Sequence, residues 1–225
     1  MPESGLEAVI WDLDGVIADT APYHFEAWQG TFQGRGVDYS EEDFKRNFGQ
    51  TNDTIIRNIL GGNISQNGVD NIADEKEENF RRRIAHNIRP LPGAVGLIRL
   101  LSGHGVKMAI ASSTPMVNLQ LIISGLGINS CFQAIVSGDE VAEGKPNPQV
   151  FLLAAQKLGM APHSCIVIED AVAGVAAARA AGMKCLAVTN THPTAKLEEA
   201  DLVVDTLESV GLDDLKERFG SSEQD

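Results

Sequence analysis

At 225 residues the chain can hold one substantial core with a smaller unit attached, and its 43% apolar and 22% charged residues are those of an ordinary globular protein. Acidic residues outnumber basic ones 31 to 18, and the formal charge of −13 would repel a nucleic-acid backbone, which argues against that partner. No apolar run nears the ~20 residues of a bilayer span, so no membrane partner is expected. Cys131, Cys165 and Cys185 sit in apolar stretches without metal-ligand spacing. With no leader sequence evident, they point to buried thiols in a reducing, cytoplasmic setting.

In chain order, Leu6 to Trp11 predicts a first strand, which runs straight into Asp12-Leu13-Asp14-Gly15. From about residue 20 to 87 no convincing strand follows. Patterns such as Asp70 to Ile84, with Glu, Lys and Arg on the outer side, predict helices there. From Pro92 onward the chain changes character. Val106 to Ala111 reads as a strand, Pro115 to Gly127 as a helix, Ala134 to Val136 as a short strand, and Pro148 to Leu158 as a helix with proline in its first turn. Cys165 to Ile168 is a further strand, and Val172 to Ala181 a helix ended by Gly182. Lys184 to Val188 and Leu202 to Val204 complete the series. Strands without polar alternation, separated by helices, predict an α/β fold with a parallel sheet covered on both faces. The expected organisation is a core of residues 1–19 and 91–225 and a helical cap of residues 20–90 inserted after the first strand. Hinges are expected near Asp19-Thr20 and around Arg89 to Pro92, and a mobile polar tail over 220–225.

Ligands of open parallel sheets bind beyond the carboxyl ends of the strands. There this sequence places Asp12-Leu13-Asp14-Gly15, then Ser112-Ser113-Thr114, then Glu169-Asp170, with Lys145 of Gly144-Lys145-Pro146 opening a helix at the same edge. Taken singly, Asp-x-Asp is commonly a turn, and Ser-Ser-Thr before Pro115 a helix cap. Four such elements at one sheet edge make a site. A phosphate monoester resists water but yields to a carboxylate held in line by Mg2+, and Asp12 is the candidate nucleophile. Asp14, two residues on, would give a proton to the leaving oxygen and later take one from the attacking group. Gly15 lets the backbone turn tightly around the phosphate. Ser112, with Ser113 beside it, would bond phosphoryl oxygens, and Lys145 would offset the gathered negative charge. Glu169 and Asp170 are hard oxygen donors of the kind Mg2+ takes.

These residues resemble the signatures of the haloacid dehalogenase superfamily. Asp12-Leu13-Asp14-Gly15-Val16-Ile17-Ala18-Asp19-Thr20 resembles the first, Ser112 the second, Lys145 in Gly-Lys-Pro-Asn-Pro the third, and Glu169-Asp170 the fourth, over essentially the whole chain up to Phe219. The resemblance implies a Rossmann-like core with an inserted α-helical cap. It also implies Mg2+ bound by Asp12, the Asp14 backbone carbonyl and Asp170, with Glu169 ligating or supporting it. Within the superfamily, Thr20-Ala21-Pro22-Tyr23-His24-Phe25-Glu26-Ala27-Trp28 is similar to the β-phosphoglucomutase-like group. Thr20, His24 and Trp28, spaced by four, share one helix face, and all three are candidate substrate contacts. The likeness implies that His24 and Trp28 lie near the substrate as the cap closes; the plainer role for Trp28 is cap core.

One departure bears on the reaction. The mutases of that group carry a lysine and an arginine around the cap glycine corresponding to Gly49, whereas Phe48 and Asn52 stand in those places here. Losing a bidentate phosphate clamp is not a conservative change, and a mutase needs a second phosphate site. The run Gly49-Gln50-Thr51-Asn52-Asp53 is instead similar to the cap loop of phosphatases. Lys76 matches a cap lysine of the mutases, but among Glu75, Glu77 and Glu78 a surface ion pair is an equal expectation. The expected function is a Mg2+-dependent phosphatase of a small phosphorylated metabolite such as a sugar phosphate, acting as a monomer through an aspartyl-phosphate. An intramolecular phosphohexomutase of the β-phosphoglucomutase type is the alternative, and a non-catalytic binding protein on the same fold the third reading.

Overall fold

The computed structural model describes residues 6–220; past Gly220, the tail expected at 220–225 lies outside them. After β1 (Ala8–Trp11) the chain forms four helices, α1 (Ala21–Gln33), α2 (Glu41–Asn47), α3 (Asn52–Leu60) and α4 (Gln66–Ile84), before it returns. Local chemistry starts three of them. Ser40 and Asp43 form a reciprocal capping box on α2, and the Thr51 and Ser65 hydroxyls accept the amides of Thr54 and Gly68 at the starts of α3 and α4. The Ser65 cap is why α4 begins at Gln66, four residues before the start expected from its apolar spacing. Arg81, Arg82 and Arg83 in its last turn suit the negative end of the helix dipole.

The remainder alternates helix and strand: α5 (Ala94–Gly103), β2 (Lys107–Ala111), α6 (Met116–Gly125), β3 (Ala134–Val136), α7 (Gln149–Leu158), β4 (Cys165–Glu169), α8 (Val172–Ala180), β5 (Lys184–Val188), β6 (Leu202–Val204) and α9 (Leu212–Phe219). The strands pair in parallel in the order β3-β2-β1-β4-β5-β6. Successive side chains leave opposite faces of a strand, and both faces here are apolar. Val9, Trp11, Met108, Ile110, Ile166 and Ile168 join one core, beneath α5, α6 and α9. Ala8, Ile10, Ala109, Ala111 and Val167 join the other, beneath α7 and α8. This is the Rossmann-like α/β fold expected. Helices α5 and α9 escaped the sequence reading because one is almost uniformly apolar and the other only eight residues long.

The helical cap has a core of its own in Trp28, Phe32, Tyr39, Ile55, Ile56, Val69 and Ile72. Helix α4 serves both units, since Phe80 and Ile84 near its end join the sheet core. The two connections between them run side by side: Asp19 N donates to Arg89 O at 3.0 Å and Leu91 N to Ile17 O at 3.0 Å. The three cysteines are buried and free. Among the described residues, no helix is long and apolar enough to cross a membrane.

Candidate active site

Strand β1 lies where the strand order turns, with β2 on one side and β4 on the other. Chains leaving such a point diverge and open a crevice at the carboxyl ends. The register sets Trp11 level with Ile110 and Ile168, so the residues that follow, Asp12 and Glu169, emerge together with the β2 terminus. Asp12 N is held to Ile168 O at 3.0 Å, and Ser112 N to Val136 O at 3.1 Å.

The buried Lys145 ammonium donates to Asp12 Oδ1 at 2.7 Å and to Glu169 Oε1 at 2.6 Å. Glu169 Oε2 accepts the Asp170 and Ala171 amides at 2.7 and 2.8 Å. A Cβ on Gly174 would overlap the Glu169 carboxylate, so glycine there lets α8 approach it. Asp170 Oδ2 accepts the Thr191 hydroxyl, while its Oδ1 is buried without a donor. Asp12, Glu169 and Asp170 each offer an oxygen, all within 4.8 Å of one another. Burial pushes the Asp12 carboxyl up to about 7, against the pull of Lys145 and helped by Glu169 and Asp14. Burial, then Glu169 and Asp12, raise Asp170 likewise. A buried oxygen without a donor, beside hard carboxylates that repel one another, is a donor set that could hold a divalent cation.

A second carboxyl has the opposite surroundings. Asp14 Oδ1 accepts the Thr20 hydroxyl at 2.6 Å and faces His24 Nε2 at 3.1 Å. Its Oδ2 accepts the Thr114 hydroxyl at 2.6 Å and that of Ser112 at 3.3 Å. Burial works to raise Asp14, but His24 and the hydroxyls outweigh it and hold the carboxyl below the usual range. The other His24 nitrogen, Nδ1, meets Lys76 Nζ at 2.9 Å, and its ring stacks on Phe80 with centroids 3.9 Å apart. Gly15 takes φ +81°, and a Cβ there would run into the Asp170 carboxylate.

A partly open cleft of about 40 Å³ lies between these carboxyls and the cap. Asp12, Asp14, His24, Trp28, Gly49, Asn52, Lys76, Ser112 and Ser113 line it; Gly15, Thr20, Lys145, Glu169 and Asp170 stand outside the lining. Thr20, proposed from sequence for substrate, is spent on Asp14. The Ser113 hydroxyl donates to Gly49 O at 2.7 Å, tying core to cap. Trp28 is both cap core and cleft wall, being 2% exposed. The surface ion pair expected for Lys76 does not form. Lys76 is 2% exposed, 2.7 Å from Glu77 Oε1 and 5.0 Å from the Trp28 ring centre. A carboxylate and an aromatic face together compensate its desolvation.

Several residues at the site were missed in the sequence. Thr114 holds Asp14, Thr191 holds Asp170, and Asn190 Nδ2 donates to Gly15 O at 2.9 Å. The polar run Thr189-Asn190-Thr191 follows β5 at the same sheet edge, a signal that could have found the last two. Glu77 carried no such signal.

Comparison with known proteins agrees with this arrangement. A family model described as haloacid dehalogenase-like hydrolase matches residues 6–182. The β-phosphoglucomutase of Bacillus subtilis is 34% identical over 223 residues, covering 95% of this chain and 96% of that protein. A fructose-1-phosphate phosphatase of Escherichia coli is 34% identical over 181 residues, covering 80% and 95%. The crystal structure of a β-phosphoglucomutase from Clostridium difficile superposes with a TM-score of 0.87 at 30% identity, covering 95% and 97%. Carboxylates from β1 and β4 with a buried lysine between them, under a helical cap and on a chain matched from β1 through α8, place this protein in the haloacid dehalogenase-like hydrolases, in their β-phosphoglucomutase-like group.

Proposed function

We propose that the chain is a phosphatase that cleaves a small phosphorylated metabolite, such as a sugar phosphate, through an aspartyl-phosphate on Asp12. The observation that carries this reading is the contrast between two neighbouring carboxyls. Asp12 is bonded by Lys145 through Oδ1, which leaves Oδ2 for attack on phosphorus. Asp14 is gathered by hydroxyls and an imidazole, in place to carry a proton. The Asp12 oxygen bonds to phosphorus as the ester bond breaks, and Asp14 protonates the leaving oxygen. Like charge from the incoming phosphate raises the proton affinity of Asp14 for that step. Water then attacks the aspartyl-phosphate, Asp14 takes its proton, and phosphate leaves. Ser112 bonds a phosphoryl oxygen, and Lys145 balances the charge.

Asp12, Asp170 and the Asp14 backbone carbonyl would hold Mg2+, with Glu169 supporting through Lys145 and the turn that follows β4. When bound, the ion supplies Lewis-acid neutralisation of the phosphoryl oxygens. A carboxyl raised from 3.8 to about 7 keeps its proton in the folded protein over that interval. Metal-free stability therefore falls as pH rises from about 4 to about 7. Mg2+ competes with those protons, so its stabilisation grows in the same direction. At a hundredfold excess over Kd, Mg2+ is expected to raise Tm by ~5 °C or more at pH 8, and clearly less at pH 5. Melting curves that do not move, or that move equally at both pH values, would remove the ion from the site.

Residues 20–90 act as the cap, hinged at the paired connections around Ala18 and Pro90. The cleft's volume of about 40 Å³ is far below the ~300 Å³ of small-ligand pockets, so cap movement makes room for the substrate. The buried, free cysteines suit a reducing compartment, and we place the enzyme in the cytoplasm.

The likeness to the Bacillus subtilis enzyme favours a second reading, a phosphohexomutase. Phe48 and Asn52 at the clamp positions, and a Lys76 already paired with Glu77, weigh against a second phosphate. Incubation with Mg2+, β-glucose 1-phosphate and a trace of glucose 1,6-bisphosphate separates the two. Free phosphate without glucose 6-phosphate is expected; glucose 6-phosphate without free phosphate would establish the mutase.

A further inference from the structure

Helix α4 places a carboxylate, Glu77, at the cap end of the cleft, and it is 5% exposed. Its Oε1 accepts Lys76 Nζ at 2.7 Å and Asn52 Nδ2 at 2.8 Å; its Oε2 accepts Asn118 Nδ2 at 2.5 Å. Asn118 belongs to α6 of the core, is fully buried, and accepts Arg81 through its own Oδ1 at 3.1 Å. Two α4 side chains one turn apart thus grip one core asparagine, which sets Glu77 in place from both units. Burial works to raise Glu77, but Lys76, His24 and Asn52 hold it below the usual range, so it carries its charge. A carboxylate has about four acceptor positions, and three are filled.

We propose that Glu77 is the specificity-determining residue of this cleft: it accepts a hydroxyl of a monophosphorylated sugar or polyol and rejects any ligand with a second phosphate at that end. The inference rests on the phosphatase reading above. Its chemistry follows from charge and valence. The remaining acceptor position of Glu77 suits an O–H donor and repels a phosphate dianion. Among the described residues lining the cleft the basic ones are Lys76, already paired with Glu77, and His24, already set against Asp14, so neither is free for an anion. Trp28 supplies an apolar wall against which a carbon skeleton lies.

The test uses full-length enzyme with Mg2+ and p-nitrophenyl phosphate as reporter. Inhibition constants are measured for glucose 6-phosphate and glucose 1,6-bisphosphate, which differ by one phosphate. The wild type is expected to favour the monophosphate by at least tenfold. Glu77→Gln should bring the ratio to one or reverse it. Glu77→Asp, which keeps the charge, should retain the preference and shows that the effect is not general damage. A ratio unchanged in Glu77→Gln, or a wild type that binds the bisphosphate as tightly or neither sugar at all, overturns the assignment of Glu77 alone. A wild type without phosphate release from the reporter overturns the phosphatase reading and this inference with it.

Discussion

Asp12→Asn is expected to lower kcat by at least ~10⁴-fold while the fold survives. An amide has the shape of the carboxylate and its Oδ1 can still accept from Lys145, but it cannot form the bond to phosphorus. The variant should not unfold. Burial and the charges of Glu169 and Asp14 work against an ionised Asp12, so at neutral pH without Mg2+ the neutral amide relieves a penalty. Steady-state phosphate release with a circular-dichroism melt on the same sample checks both halves. Activity within tenfold of wild type would move the nucleophile elsewhere. A collapse of the melt would instead show that the carboxylate itself is needed for folding.

Lys145→Met should be the most destabilising single change at the site. Its ammonium is buried and is the bonded cation between Asp12 and Glu169. Burial works to lower its pKa, but Asp12 and Glu169 outweigh that and hold it above the usual lysine value. Removing one partner of a buried ion pair costs ~3–5 kcal/mol, because the other is left charged and unpaired. Here the carboxylates have an escape, since Asp12 can take up a proton. Without the lysine its pKa rises above about 7, and the folded variant binds protons that the unfolded chain does not. The deficit should therefore be largest near pH 8 and shrink toward pH 5. Urea unfolding of both proteins at the two pH values measures this, and a deficit independent of pH would contradict the coupling. Phosphate release should fall with it, by at least ~10²-fold, since Lys145 also balances the transferred group.

Much of this protein is legible in one dimension because its chemistry is local. Asp12-Leu13-Asp14-Gly15, Ser112-Ser113-Thr114 and Glu169-Asp170 each follow an apolar strand directly, and a parallel sheet aligns strand ends by construction. The helical insertion was equally plain, because helical patterning replaces strand signals between β1 and Pro92. Helices α5 and α9 were harder: the buried face of α5, Ala94, Leu97, Ile98 and Leu101, is blurred by further apolar residues around it, and α9 is only eight residues long. Thr114 carries no signal of its role in the sequence, since a hydroxyl's partner is invisible until Asp14 is beside it.

The sequence by itself determined the fold class and the carboxylates at the strand ends. Each depends on neighbours within a few positions, where hydrophobic pattern and turn chemistry act. The tertiary structure decided what the charged residues of α4 are for. Five charged residues in a row, Asp74 to Glu78, read as a solvated face, and three of them are; Lys76 and Glu77 instead turn inward, toward His24 and Trp28 on one side and Asn118, 41 positions from Glu77, on the other. A buried charge persists only where distant partners compensate its desolvation, and such partners are supplied by packing, not by adjacency along the chain.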